Sequence, residues 1–193
     1  MLMMPMFGGF ILAILFTGSG ISLLGYYVPF MIAASIMTPV ASGLLTTLKA
    51  NGPMWQFFIY EVLFGIGGGI GFQGPQAAVQ TTLSDEDASM GLNIIVFGQN
   101  FGPALSVSIA QSLFSSRLLE NLKTYVPDID GSALTKLGLG SIQSLIPPGE
   151  LEEALLGYDK AITQTFYLAV GLTCLTMFGS LGMEWRSVKE KRN

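Results

Sequence analysis

Few side chains in this sequence could do chemistry, and those few sit among residues that exclude water. Glu61 is the only charged residue between Met54 and Ser84, and a carboxyl in such a stretch is either a site for a proton or a group near the outer interface that water reaches. An ionisable side chain at the centre of a membrane helix costs roughly 2.5 to 3.5 kcal/mol on insertion scales, so its placement demands a reason. Gln73, Gln76 and Gln80 follow at helical spacing, and Gln99 and Asn100 occupy the next uncharged run. An amide both donates and accepts, so inward-facing amides suit polar groups of chemically varied substrates without a fixed charge partner. They equally suit hydrogen bonding between helices with no ligand at all. Metal and cofactor chemistry has little to draw on: there is no histidine and one cysteine, Cys174, in an apolar run where packing is its expected role. No acid, serine and base cluster stands at catalytic spacing, so no cofactor, no metal site and no enzyme are expected.

The elements that hold these residues follow from composition. Half the residues are hydrophobic and 11% are charged, where an ordinary soluble domain is about 25% charged, and mean hydropathy is +0.56. The expected fold is all-α and integral to the membrane. A net charge of −4 offers no basic surface for nucleic acid. The first charge is Lys49, which leaves an uncharged block about twice as long as one membrane helix needs. "GYYVP", Gly25 to Pro29, divides it, because Gly25 permits a turn and Pro29 suits the first turn of a helix. Spans are expected near 3–23 and 28–48, then 55–78, then 88–117 after "SDED", and a fifth at 161–185. No charged leader precedes the first span, so a cleaved signal peptide is not expected.

Glycine is the other signal. In lipid, helices associate through close backbone approach, and Gly65xxxGly69 and Gly67xxxGly71 supply two small-residue faces on the third span. Arg186, Lys189, Lys191 and Arg192 follow the fifth span, which places 186–193 in the cytoplasm as a tail. Residues 119–160 are then exoplasmic, either a loosely ordered loop or one carrying a short helix at "PPGELEEALLGYDKAI", whose Leu151, Ala154, Leu155 and Tyr158 form one stripe.

Two stretches resemble the major facilitator superfamily. "GSGISLLGYYVPFMI" resembles the family's loop motif between the second and third helices of a half, with Gly18 and Gly25 on its two glycines. Ser22 and Leu23 stand where that motif has an acid and an arginine, and Tyr26 and Tyr27 replace its basic pair. "GQNFGPALS" is similar to the antiporter motif, with Gly98, Gly102 and Pro103 in place and Ser106 for the last glycine. The order of the two motifs, the acidic segment and "EWRSVK" look like the end of a fungal fourteen-helix drug or mycotoxin efflux carrier.

That resemblance implies an incomplete C-terminal half of a major facilitator bundle. Such carriers bind substrate near the midplane between two halves, so the missing half or another chain is an implied partner, beside the lipid bilayer, a small organic substrate and protons. Glu61, Gln73, Gln76, Gln99 and Asn100 become candidates for the substrate path. Gly65, Gly69, Gly98, Gly102 and Pro103 become packing and gating positions. The implied location is the plasma membrane or the vacuolar membrane. The alternative reading is a remnant that does not transport, or a partner that docks on a complete carrier.

Overall fold

The computed structural model describes residues 3–48, 52–125 and 151–189. Five long helices make up these residues: α1 (Met4–Leu24), α2 (Val28–Leu45), α3 (Met54–Thr82), α4 (Asp85–Tyr125) and α5 (Leu151–Leu181). All five are long and apolar enough to cross a membrane. Proline opens α1 and α2 within their first turn, where its missing N–H costs nothing. Gly25 ends α1 at φ +79°, the one positive φ among the described residues, and its N–H donates to Ile21 O at 2.8 Å. That left-handed cap turns the chain into α2 within three residues.

Contacts between helices run in the order α1, α3, α2, α5, α4. The heart of the bundle is α3, and its glycines explain why. A Cβ at Gly65 would strike Met6 O, and one at Gly69 would strike Phe10 O and lie 2.8 Å from Ala13 Cβ. On a different face, a Cβ at Gly67 would lie 2.8 Å from Thr38 Oγ1 and one at Gly71 would lie 3.4 Å from Ala34 Cβ, while one at Gly74 would strike Met31 Sδ. The two interleaved small-residue motifs therefore serve two partners. Gly65 and Gly69 seat α1, with residue numbers rising together, so α1 and α3 are parallel. Gly67, Gly71 and Gly74 seat α2, with numbers running in opposition.

Hydroxyls join α2 to α5. Ser180 Oγ donates to Ser35 Oγ at 2.8 Å, both side chains buried, and Thr173 Oγ1 lies 3.5 Å from Ser42 Oγ. Ser35, Ser42 and Thr173 donate to a carbonyl three or four residues back in their own helix, and Ser180 Oγ has Met177 O at 3.0 Å as an alternative acceptor, so each hydroxyl is satisfied within the chain.

The expected boundaries differ most at α4 and α5. The helix expected to stop at 117 runs to Tyr125, and the stripe expected as a separate short helix forms the first turns of α5, continuous through Leu181. The cause is an apolar contact between the two extensions: Leu118 and Leu122 pack on Ala154 and Ala161, with Phe114, Tyr125 and Tyr158 around them. Lys160 Nζ sits 5.7 Å from the centre of the Tyr125 ring. Residues 126–150 of the expected loop lie outside the described residues. At 41 residues, α4 is about 60 Å long, twice the hydrocarbon thickness of a bilayer. Its uncharged part, Ala88 to Ser116, is the portion suited to lipid depth. Cys174, expected to pack, is exposed on α5.

A methyl group is enough to test the α3 seats. Gly65→Ala and Gly69→Ala should each lower thermal stability of the purified chain by about 1–3 kcal/mol through overpacking. Gly98→Ala, with nothing within 4 Å of its added methyl, should leave the melt unchanged or slightly raised. Equal melts for all three variants would contradict the seating.

Candidate functional site

The candidate polar residues do not form one group. On α3, Gln76 and Gln73 lie three apart, yet they face different neighbours. Gln76 Nε2 donates to Gln99 Oε1 across to α4 at 3.4 Å, a long bond, and Gln99 Nε2 donates back to Phe72 O at 3.2 Å. This chain of amides is a principal tie between α3 and α4, with Gly91 meeting Val79 and Leu83 nearer the turn. Pro75 lies between Gln73 and Gln76, where its missing N–H leaves the Gly71 carbonyl without its usual helical donor.

Gln73 is half-buried on the α1 side, where a Cβ on Gly18 would lie 3.4 Å from its Nε2. Gly18 itself belongs to the last turns of α1, so of the two loop-motif glycines only Gly25 stands in the turn. Gln80 is exposed near the end of α3.

Asn100 is exposed and donates to Val96 O of its own helix at 2.7 Å. It follows Gln99 by one residue, about 100° around the helix, so it points away from α3. The four amides Gln73, Gln76, Gln99 and Asn100 therefore do not converge on one cavity. Instead Asn100 belongs to a different set. Asn93, Asn100 and Gln111 are separated by seven and eleven residues, close to two and three turns, and Ser108 lies beside them. All four are exposed. A polar stripe thus runs along the uncharged part of α4, and the motif glycines Gly98 and Gly102 on another part of the same helix meet nothing within 4 Å. Sequence reasoning passed over Asn93 and Ser108, although the seven and eleven spacing was there to read.

Glu61 lies seven residues into α3, about 10 Å from its start. It is 7% exposed, and its Oε2 has no hydrogen-bond partner among the described residues. Neither α1 nor α2 carries a basic residue, and α3 carries none either. Glu61 is thus separated from Gln73 by more than three turns of helix and forms a site of its own. Between α4 and α5, a cleft of about 340 Å³ is lined by Ser106, Ala110, Phe114, Phe166, Ala169 and Leu172. None of the candidate amides lines it. Among the described residues no group of three histidine, cysteine or acidic side chains could hold a metal ion.

Comparison with known proteins places these helices. An MFS-type transporter of Penicillium canescens, olcL, is 37% identical over 186 residues, which cover 96% of this chain and 32% of that protein. The MFS-type transporter astH of Aspergillus oryzae is 34% identical over 98% of this chain and 34% of its own length. An MFS-type efflux pump of Trichophyton rubrum is 35% identical over 94% of this chain and 34% of its own. The chain spans about a third of the length of the curated relatives it matches. No family model matches the sequence. No solved structure matches it.

The amide chain is tested by a double-mutant cycle. Gln99→Leu breaks two bonds and should cost more thermal stability than Gln76→Leu, which breaks one. The coupling between the two should be about 0.5–1 kcal/mol, as for other buried bonds between membrane helices. Strictly additive effects would separate the two side chains.

Proposed function

We propose that this chain, which belongs to the major facilitator superfamily, supplies the last five helices of a proton-coupled exporter of small amphipathic organic molecules. The observation that carries the reading is the α4 stripe of Asn93, Asn100, Ser108 and Gln111, exposed along the uncharged run of a helix apolar enough to span a membrane, where lipid would offer no hydrogen bond. Such a face requires either water or protein over it. In a carrier whose substrate site lies between two halves, both are on hand: the remaining two-thirds of the protein covers the bundle, and the path between the halves is wet.

In this reading α4 lines the path and α3 frames it. The Gln76–Gln99 pair fixes α4 against α3, and Asn100 and Gln111 offer donors and acceptors without a fixed charge, which suits a varied set of drug-like or toxin-like substrates. Glu61 is the residue in the spans at which a coupling proton would reside. Gly98, Gly102 and Pro103 form a bend with a small-residue face on which a helix from outside this chain would pivot. In this reading the C-terminus lies in the cytoplasm, an orientation that the basic tail supports, and the membrane is the plasma membrane or the vacuolar membrane.

A chimaera tests this directly. The chain would replace the matching third of the Penicillium canescens transporter, and export of a fluorescent amphipathic drug would be followed in cells. Energy-dependent export above an empty-vector control is expected from the chimaera and not from the 193 residues alone. Asn100→Leu should lower that export about tenfold, the effect of losing one buried polar contact of about 1.4 kcal/mol. A chimaera present in the membrane at normal level but no better than vector would favour a chain that does not transport.

A further inference from the structure

The end of the chain returns to the first turn of the bundle. Past α5, Val188 N–H donates to Gly25 O at 2.7 Å, and Tyr26 and Ser187 are bridged as in an antiparallel pair. Tyr27, buried between α1 and α2, donates its hydroxyl to Glu184 O at 2.5 Å. Lys189 Nζ donates to Leu23 O at 2.6 Å.

Each contact meets a need set by the local chain. The last carbonyls of α1 have no partner within the helix, and a cation at a helix C-terminus both bonds them and opposes the helix dipole. No residue from Gly18 to Phe30 carries a charge, so the cation that caps α1 here comes from the tail. Gly25 makes room for it: a Cβ there would lie 3.1–3.3 Å from three carbons of the Lys189 side chain. Burial foremost, and the Glu184 charge next, hold the Tyr27 phenol above its ordinary range against the pull of Arg186. Its hydroxyl therefore stays a donor below the unfolded value of about 10, and the contact is lost only as pH rises beyond that.

We propose that Glu184–Lys189 is a strap that latches the α1–α2 turn to the end of α5, with Lys189 as its catch. The strap adds a direct tie between α1 and α5, which the helix packing joins only through other helices, since α1 seats on α3 while α5 seats on α2 and α4. While it is closed, α1, α2 and α5 end as one body. Its hydrogen bonds are few, and while Tyr27 and Gly25 are buried, the Lys189 catch is exposed, so the strap opens from its Lys189 end without loss of the helix seats. Opening frees the α1–α2 turn to shift against α5.

Disulfide trapping in the full chain, expressed in membranes, tests the latch. With Cys174→Ser, a protease site inserted after Gly131 and cysteines at Tyr26 and Ser187, oxidation should leave the two cleavage products joined on a non-reducing gel. The pair Ser35→Cys and Ser180→Cys, whose hydroxyls touch within the α2–α5 seam, reports the helix packing in parallel. Lys189→Ala should slow the 26–187 crosslink about fivefold, the effect of one charge-assisted cap, and leave the 35–180 crosslink unchanged. Lys189→Arg should restore the rate in large part. An unchanged 26–187 rate in Lys189→Ala, or absence of that crosslink while 35–180 forms, would overturn the strap. Failure of both crosslinks with Lys189 intact would overturn it together with the packing it rests on.

Discussion

The close approach of α3 to two neighbours at once is the contact on which the rest depends. In lipid the apolar side chains of Phe7, Ile11 and Leu15 gain nothing by leaving the tails for a protein interior. Association must come from surfaces that fit better than lipid does. Gly65 and Gly69 bring α1 to within touching distance of the α3 backbone, and Gly67, Gly71 and Gly74 do the same for α2. Glycine lowers helix stability by about 1 kcal/mol per position in water, and here the cost is offset by contact on two faces of one helix.

With α3 so placed, polar groups sort by whether the chain itself can satisfy them. The serine and threonine hydroxyls of α2 and α5 bond within their helices and to one another. Gln76 donates to Gln99, and Gln99 donates in turn to the Phe72 carbonyl. Tyr27 and the carbonyl of Leu23 are met by the returning tail. What is left is concentrated in two places, the buried oxygen of Glu61 and the exposed stripe of α4. Neither is a defect of packing, since the same chain solves the problem elsewhere with ordinary means. On the proposed function they are the faces that the rest of a carrier, its water-filled path and its substrate would meet.

Much of this was legible in the residues. Uncharged runs marked five spans because a charge inside lipid is costly, and Gly25 with Pro29 marked the first turn because no other pair of residues in the block of 1–48 suits it as well. Small-residue spacing pointed to α3 as the packed helix, though it could not say that the two motifs face two different partners, since that depends on where α1 and α2 lie. Helix ends at α4 and α5 were misjudged because charge was taken to mark the end of a helix. Charge marks the end of the uncharged run only, and Leu118 and Leu122 carry the helix on past it by packing on Ala154 and Ala161. The amides were recognised by type, but Gln99 and Asn100 cannot share a direction when they are neighbours on one helix. The strap was not legible, because its parts, Gly25 and Lys189, are brought together only by the closure of α1, α2 and α5.

The central claim is that α4 presents water-facing, not lipid-facing, polar residues once the bundle is complete. Single cysteines at Asn93, Asn100, Ser108 and Gln111, in the chimaera with Cys174→Ser, would be exposed to a water-soluble maleimide beside controls at Phe7, Ile11 and Leu15 on the outer face of α1. Labelling is predicted along the α4 stripe and not on α1. Protection of all four stripe positions, with labelling no greater than on α1, would contradict the account.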